Sequence, residues 1–442
     1  MPTCTAAALA ALAAVLATVC AGDRADALNV LSVHVVPDVR LNHGVALGGL
    51  SDLSLAPAGA ATEGLIVWAI TDRGPNGMVG EGEAKRRTLL VPDFVPALVK
   101  LRLPADGGAA VEAVLPLTGG SGKPLSGRPN GVGRDEPVLD GAGRAAIAAD
   151  PDGVDTEGLV VMPDGSFWVT EEYRPSLMRV SAEGRVLERH VPAGVELTGA
   201  DTTVITDIPA AYGDRRDNRG FEGLALSADA KHLFVLLQSP LDHPQKKAAS
   251  KTGNVRLLVC DAATGRPVAE HVYRLGDPTA AGWAEHGAPP DDGKLCCLAA
   301  MGDGTLLVLE QDDTGLARLY LADPRAATDT LPRTTQAEGE PLETIRDLAA
   351  AGIEPLGKTL VADLGSLVSR LRRDVSGSGS GASLKLEGLA VLDDRRVLLC
   401  NDNDFAVPSS AASGGDGTAR SCLWVIGLPT PLTTPASLTA GR

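Results

Sequence analysis

The stretch DTEGLVVMPDGSFWVTEE, Asp155 to Glu172, reads as an acidic start, a short apolar run, a turn on Asp-Gly, a second apolar run and an acidic end. Two Val-rich runs of strand length around such a turn predict an antiparallel hairpin. In a hairpin, the residue before the first strand and the residue after the second leave the sheet at the same end. Carboxylates at both places are therefore brought together.

The stretch recurs. GFEGLALSADAKHLFVLLQS begins at Gly220, KLCCLAAMGDGTLLVLEQDD at Lys294 and KLEGLAVLDDRRVLLCNDND at Lys385, with a looser copy, GGLSDLSLAPAGAATEGLIVWAITDRG, at Gly48. Gly158 to Glu171, Cys297 to Glu310 and Gly388 to Asn401 each span 13 positions. The unit starts, at 49, 158, 223, 297 and 388, lie 109, 65, 74 and 91 residues apart, which leaves room for long outer loops. Repetition of one hairpin without intervening long helices predicts an all-β chain folded as a β-propeller. Five motifs are visible and six blades are expected. The strand near Asn29 (NVLSVHVVP) is expected to complete the last blade beside CLWVIGLP at Cys422.

In that geometry the acids of successive units ring one axial mouth. Glu157, Glu222 and Glu387 form one set at the starts of the inner strands. Asp72, Glu171, Glu310 and Asp402 form a second set after the neighbouring strands, with Asp404 close by.

At 442 residues, with Gly 51 and Pro 30 spread along it, the chain suits one large all-β domain, 28–442, after a leader at 1–27. The N-terminal run of Ala, Leu and Val ends in the A-x-A-like Ala25-Asp26-Ala27, which predicts a signal peptide; an organelle transit sequence or an anchor is the alternative. Val19 is too bulky for a lipoprotein site at Cys20. No later segment reads as transmembrane. The chain is expected to be exported, secreted or periplasmic, with an organelle lumen as the other compartment. A formal net charge of -16 argues against nucleic acid and anionic membrane as partners. After the leader five cysteines remain, Cys260, Cys296, Cys297, Cys400 and Cys422; the number is odd and no CxxC occurs, so no disulfide framework is expected and a single bridge is left open. SGSGSGAS predicts a flexible loop at 376–383, and EPLETIRDLAAAG a short helix between blades.

These motifs resemble the phytase-like family, "esterase-like activity of phytase". The resemblance is carried in order by GGLSDL at Gly48, TDRGPNG at Thr71, DTEGL at Asp155, NRGFEGLALS at Asn218, LLVLEQD at Leu306 and LEGLAVL with NDNDF between Leu386 and Phe405. It implies a β-propeller related in general form to calcium-dependent alkaline phytases, and hydrolysis of ester bonds. It implies no defined catalytic set. Cys296-Cys297 stands where the family has a polar or acidic start, so the strand that begins there is not expected to supply a ligand.

Dense carboxylates point to a hard cation, since calcium takes about six to eight oxygens. Asp150, Asp152, Asp155 and Glu157 form one knot and Asn401 to Asp404 another, although Asp and Asn also serve as turn formers. The expected metal ligands are Asp72, Glu157, Glu171, Glu222, Glu310, Glu387, Asp402 and Asp404, holding calcium. Arg73, Arg174, Arg219 and Lys385 are the expected contacts for a small anionic substrate, or else the structural counter-ions of the ring. GIEPLGKT, Gly352 to Thr359, matches a P-loop in letters, but a strand-like run follows it where a helix is required. No G-x-S-x-G elbow supports a serine esterase. The expectation is a monomeric, calcium-assisted phosphate-ester hydrolase; the alternative is a non-catalytic propeller binding calcium and a ligand or protein.

Overall fold

The computed structural model describes residues 27–57, 64–80, 85–131, 137–246, 248, 252–276, 293–312, 316–376, 384–407 and 419–432. The leader up to residue 26 and the Gly/Ser loop at 377–383 lie outside them.

The chain is mostly β and forms small, largely antiparallel sheets. Sheet 1 pairs Leu50–Leu55, Leu65–Thr71, Ala97–Leu103 and Ala110–Pro116 in that order. Sheet 2 runs Thr156–Val161, Phe167–Glu171, Ser176–Val180 and Val186–Pro192, and ends in Thr203–Ile208, which pairs in parallel. Sheet 3 is Phe221–Leu226, His232–Leu237, Asn254–Asp261 and Pro267–Arg274. Sheet 4 is Lys294–Ala300, Leu306–Gln311, Ala317–Asp323 and Gly357–Asp363. Sheet 5 is Lys385–Val391, Arg396–Asp402, Cys422–Gly427 and, from the other end of the chain, Asn29–Val35. The expected pairing of the N-terminal strand with Cys422–Gly427 is therefore present, antiparallel.

Each first strand is an inner strand. Its neighbours are the first strands of the sheets before and after it, from sheet 1 to 2, 2 to 3, 3 to 4, 4 to 5, and 5 back to 1. Among the described residues these five sheets are joined by one smaller sheet, Asn76–Val79, Arg86–Leu89 and Leu139–Asp140. A sixth sheet of four or more strands is not formed by the described residues.

The hairpin of the decisive stretch turns as its letters require. Asp164 accepts from the Ser166 backbone N–H (3.0 Å) and hydroxyl (2.6 Å), while Gly165 takes φ +84°. The inner strand Thr156–Val161 is buried along its whole length, whereas Ala110–Pro116 at the outer edge of sheet 1 is half-exposed. Sheet surfaces facing one another are filled by Leu, Val and a few large rings. Trp168 and Trp424 are fully buried, and each indole N–H finds an acceptor, Ala262 O at 3.1 Å and Asp374 Oδ2 at 3.0 Å. Truncating either ring would cost about 3–5 kcal/mol.

Two α-helices occur among the described residues, Leu331–Gln336 and Gly365–Ser376. The second buries Leu367, Leu371 and Val375, spaced four apart, against sheet 5. The helix expected at EPLETIRDLAAAG is reduced to a 3-10 turn at Leu342–Thr344, where Asn254 Nδ2 donates to the carbonyls of Leu342 (2.8 Å) and Ile345 (2.9 Å). The strand Gly357–Asp363 begins inside GIEPLGKT, so that stretch is not a phosphate loop. All five cysteines after the leader are buried free thiols, and the disulfide left open by the sequence is not formed.

Candidate functional site

The five inner strands share a local defect. Pairing with the second strand slips by one residue near the start of each: at Ser51 between Leu50 and Asp52, at Glu222 between Phe221 and Gly223, at Cys296 between Leu295 and Cys297, and at Glu387 between Leu386 and Gly388. In sheet 2, Glu157 and Gly158 together oppose Thr170. A β-bulge re-aims the extra side chain. Ser51, Glu157, Glu222 and Glu387 all line one cavity of about 490 Å³ where the inner strands begin. The next residue is glycine in three of the five, because the inner strands close on each other there. A Cβ on Gly158 would stand 2.5 Å from the Glu222 carbonyl oxygen.

The second strands supply the other half of the lining. Pairing places Thr71, Glu171, Leu237, Glu310 and Asn401 at equivalent positions. The residues that follow them, Asp72, Glu172, Gln238, Gln311 and Asp402, reach the cavity. Of the expected ligands, Asp72, Glu157, Glu222, Glu387, Asp402 and Asp404 are therefore brought together, whereas Glu171 and Glu310 are one residue out of phase and point into the sheets. Glu171 ties its own corner, accepting from Tyr173 N (2.9 Å), Ser176 Oγ (3.0 Å) and Asn130 Nδ2 (3.1 Å) and pairing with Arg189 at 2.8 Å. Glu310 accepts from the Tyr273 hydroxyl at 2.6 Å and pairs with Lys358. Arg174 lies beside Gly131, outside the cavity lining, while Arg73, Arg219 and Lys385 are in it.

Sequence reasoning missed Glu172 as a member and set Asp155 in the first acidic knot without carrying it into the ligand set. Asp155, Glu157 and Glu172 are all buried, and one oxygen from each lies within 4.8 Å of the other two. The signal for Glu172 was present: aligned on the corner, TDR, EEY, LQS, EQD and NDN each put a polar residue second. Of the first acidic knot, Asp150 accepts from Ser126 Oγ (2.7 Å) and Asp152 from the Asp201 and Thr202 backbones, so those two are turn residues as their type allows.

Arg73 threads the cluster. Its backbone N–H donates to Asp155 Oδ1 (3.1 Å); its Nη2 contacts Asp155 Oδ2, Glu172 Oε2 (3.1 Å) and Asn218 Oδ1 (2.5 Å). The guanidinium lies 5.1 Å from the Tyr173 ring centre. Even so, Glu172 Oε1 and Glu222 Oε2 are buried without a hydrogen-bond partner, in residues 1 % and 2 % exposed. Gln238 Nε2 occupies the other Glu222 oxygen at 2.7 Å.

Burial, then mutual repulsion, sets the protonation. Burial pushes Asp155 up to about 8 against the pull of Arg73. Glu387 also rises to about 8, through burial and then Asp402. Burial and Asp404 raise Asp402 to about 6. Glu157 is held well above the carboxylate range by burial and Glu222, and Glu222 by burial and Glu172. Asp72 rises through burial and Asp402. So many raised carboxyls in one cavity mark a site short of positive charge.

The mouth above carries cations from separate elements: Arg87 of the small sheet, Arg219 of the loop before sheet 3, Lys294, Lys385 and Arg372 of the helix Gly365–Ser376. Lys385 bridges to Asp402 (3.3 Å) and Asp404. Asp404 stands on a strained corner, where Asp404, Phe405 and Ala406 have φ of 47°, 53° and 54°. Asn403 pins it, accepting from Gly49 N (3.0 Å) and Phe405 N (3.1 Å). The Phe405 ring covers Gly49, where a Cβ would come within 2.1 Å of it. That contact explains the glycine that opens GGLSDL at its second position.

The phytase-like family, described as esterase-like activity of phytase, matches residues 45–405. The chain belongs to that family. A relative from Arthroderma benhamiae, an "uncharacterized secreted protein", is 28% identical over 218 residues; the match covers 45% of this chain and 42% of that protein's length. Among solved structures, regucalcin of Agrobacterium tumefaciens strain C58, a calcium-binding protein, is 13% identical at a TM-score of 0.35, covering 91% of this chain and 97% of that one. An arabinanase of Bacillus subtilis is 11% identical at 0.34, covering 86% and 94%. Among the described residues no helix is long and apolar enough to cross a membrane.

Proposed function

We propose that the chain is an exported, five-bladed propeller that binds calcium at Asp155, Glu157 and Glu172 and hydrolyses phosphate monoesters at the cavity mouth. The observation that carries this reading is the convergence of three buried carboxylates, with the unpartnered Glu172 Oε1 among them, two of which, Glu157 and Glu172, line a cavity that Arg219, Lys294 and Lys385 also line. The cyclic order of the inner strands supports the five-bladed closure. The family and the secreted relative support the hydrolase and its export.

The donor set fits a hard cation: all-oxygen, anionic and incompletely satisfied. When bound, calcium supplies Lewis acidity toward an ester oxygen and acidifies nearby water. The residues of the chain do the rest. Asp155, Glu157 and Glu172 hold the ion; Arg219, Lys294 and Lys385 orient the anionic group from the mouth. Glu222, steadied by Gln238, presents its free oxygen to the cavity for proton exchange.

The test is phosphate release by the purified mature chain from phytate and from an aryl phosphate, with calcium and then with chelator. Calcium-dependent release that Glu157→Gln abolishes supports the reading. Calcium binding without release from either substrate would move the function to a non-catalytic binding propeller.

A further inference from the structure

We infer that Arg73 occupies part of the cation site until the cation arrives, and that its displacement couples cation binding to anion binding. The inference rests on the calcium reading above and adds an order of events to it.

Three contacts fall on one nitrogen. Arg73 Nη2 reaches Asp155, Glu172 (3.1 Å) and Asn218 (2.5 Å), while its buried Nε has no hydrogen-bond partner. A guanidinium settled in a permanent carboxylate pair uses its fork, two parallel N–H donors on two oxygens. Arg73 makes no such fork. Two of its three acceptors, Asp155 and Glu172, belong to the carboxylate trio. The third, Asn218, lies in the cavity lining next to Arg219 and is neutral.

A divalent cation on the trio takes over the charge of Asp155 and Glu172 and repels the guanidinium. The contact to Asn218 survives, so the side chain is left turned toward the mouth with unused N–H donors. Those donors are then available to an oxyanion. Without the cation, Arg73 is held by the acids and the anion meets an excess of carboxylate. Each ligand therefore raises the affinity of the other by the same factor.

The experiment is calorimetric titration of calcium alone, inorganic phosphate alone, and each in the presence of the other, below the solubility limit of calcium phosphate. In the wild-type chain each ligand is expected to tighten the other by about tenfold or more. Arg73→Gln, checked for folding by its melting transition, is expected to bind calcium alone more tightly, bind phosphate weakly and lose the coupling. Unchanged calcium affinity and unchanged coupling in a folded Arg73→Gln would overturn the inference while leaving the calcium reading intact. Absence of calcium binding to the wild-type chain would overturn both. If Arg73→Gln does not fold, Asn218→Ala decides: it removes the acceptor that holds the displaced side chain, so coupling should fall several-fold, and coupling at the wild-type level would overturn the inference.

Discussion

Two of the buried clusters are built from the same parts, carboxylates and an arginine, and only one of the two is finished. On the flank of sheet 3, Arg256 forks onto Glu343 through Nε (2.6 Å) and Nη2 (2.8 Å) and reaches Glu270 and Thr334 through Nη1. Glu270 accepts in addition from Tyr212 (2.8 Å), Thr330 (2.8 Å) and Thr334 (2.5 Å). Every oxygen of its two carboxylates has a donor. That cluster binds the segment around Leu331–Gln336 and Leu342–Thr344 to the sheet. In the central cavity, carboxyls outnumber cations, oxygens of Glu172 and Glu222 lack donors, and Arg73 Nε lacks an acceptor. Buried polar groups are ordinarily paired, so a complete network reads as structure and an incomplete one as a place kept for a ligand.

The largest effect should come from breaking the finished cluster. Arg256→Ala leaves Glu270 and Glu343 buried without their counter-ion and should cost about 3–5 kcal/mol of unfolding free energy, measured by denaturant titration. Calcium affinity should be unaltered, because the two clusters share no residue. Next is Glu157→Gln in the unfinished cluster. It should raise the melting temperature of the calcium-free protein by relieving repulsion, and abolish the stabilisation by calcium, about 2.7 kcal/mol at a hundredfold excess over Kd in the wild-type chain.

The pH dependence sharpens the comparison. Asp155 and Glu387 are pushed up to about 8 in the folded chain, against about 4 for unfolded carboxyls. Between those values the folded state holds protons that the unfolded state has lost, so stability falls as pH rises, by about 1.4 kcal/mol per pH unit for each proton in excess. Melting of the calcium-free chain between pH 5 and 8 should show this fall, and saturating calcium should flatten it. The smallest effect belongs to the surface. Glu112, paired with Lys100 at 3.1 Å and with Arg102, is solvent-exposed at the sheet edge, and Glu112→Ala should leave the melting transition nearly unchanged, with any small loss seen only in low salt.

How much of this could be read beforehand depended on periodicity. The hairpin units, their acidic ends and the closing strand at Asn29 follow from apolar runs and turn residues, which act locally. Phase was harder. Glu171 and Glu172 are both acidic, and side chains alternate along a strand, so a one-residue error exchanged a cavity-lining acid for a corner tie; Glu310 was misplaced for the same reason. The bulges that aim Glu157, Glu222 and Glu387 inward leave only a glycine after the acid as their trace. Arg73 was legible as a cation beside an acid, but not as one already held by Asp155 and Glu172, since those partners come from another sheet. The segment 324–356 crosses from sheet 4 to cover sheet 3, and its length alone did not say where it would lie.

The measurement that bears most directly on the unfinished cluster is calcium titration of the chelator-treated chain at neutral pH, run on the wild type, Glu172→Gln and Arg256→Ala. Saturable binding that Glu172→Gln removes and Arg256→Ala preserves is the expected result. Binding that survives in Glu172→Gln, or none in the wild type, would contradict the assignment of the central cavity as a cation site.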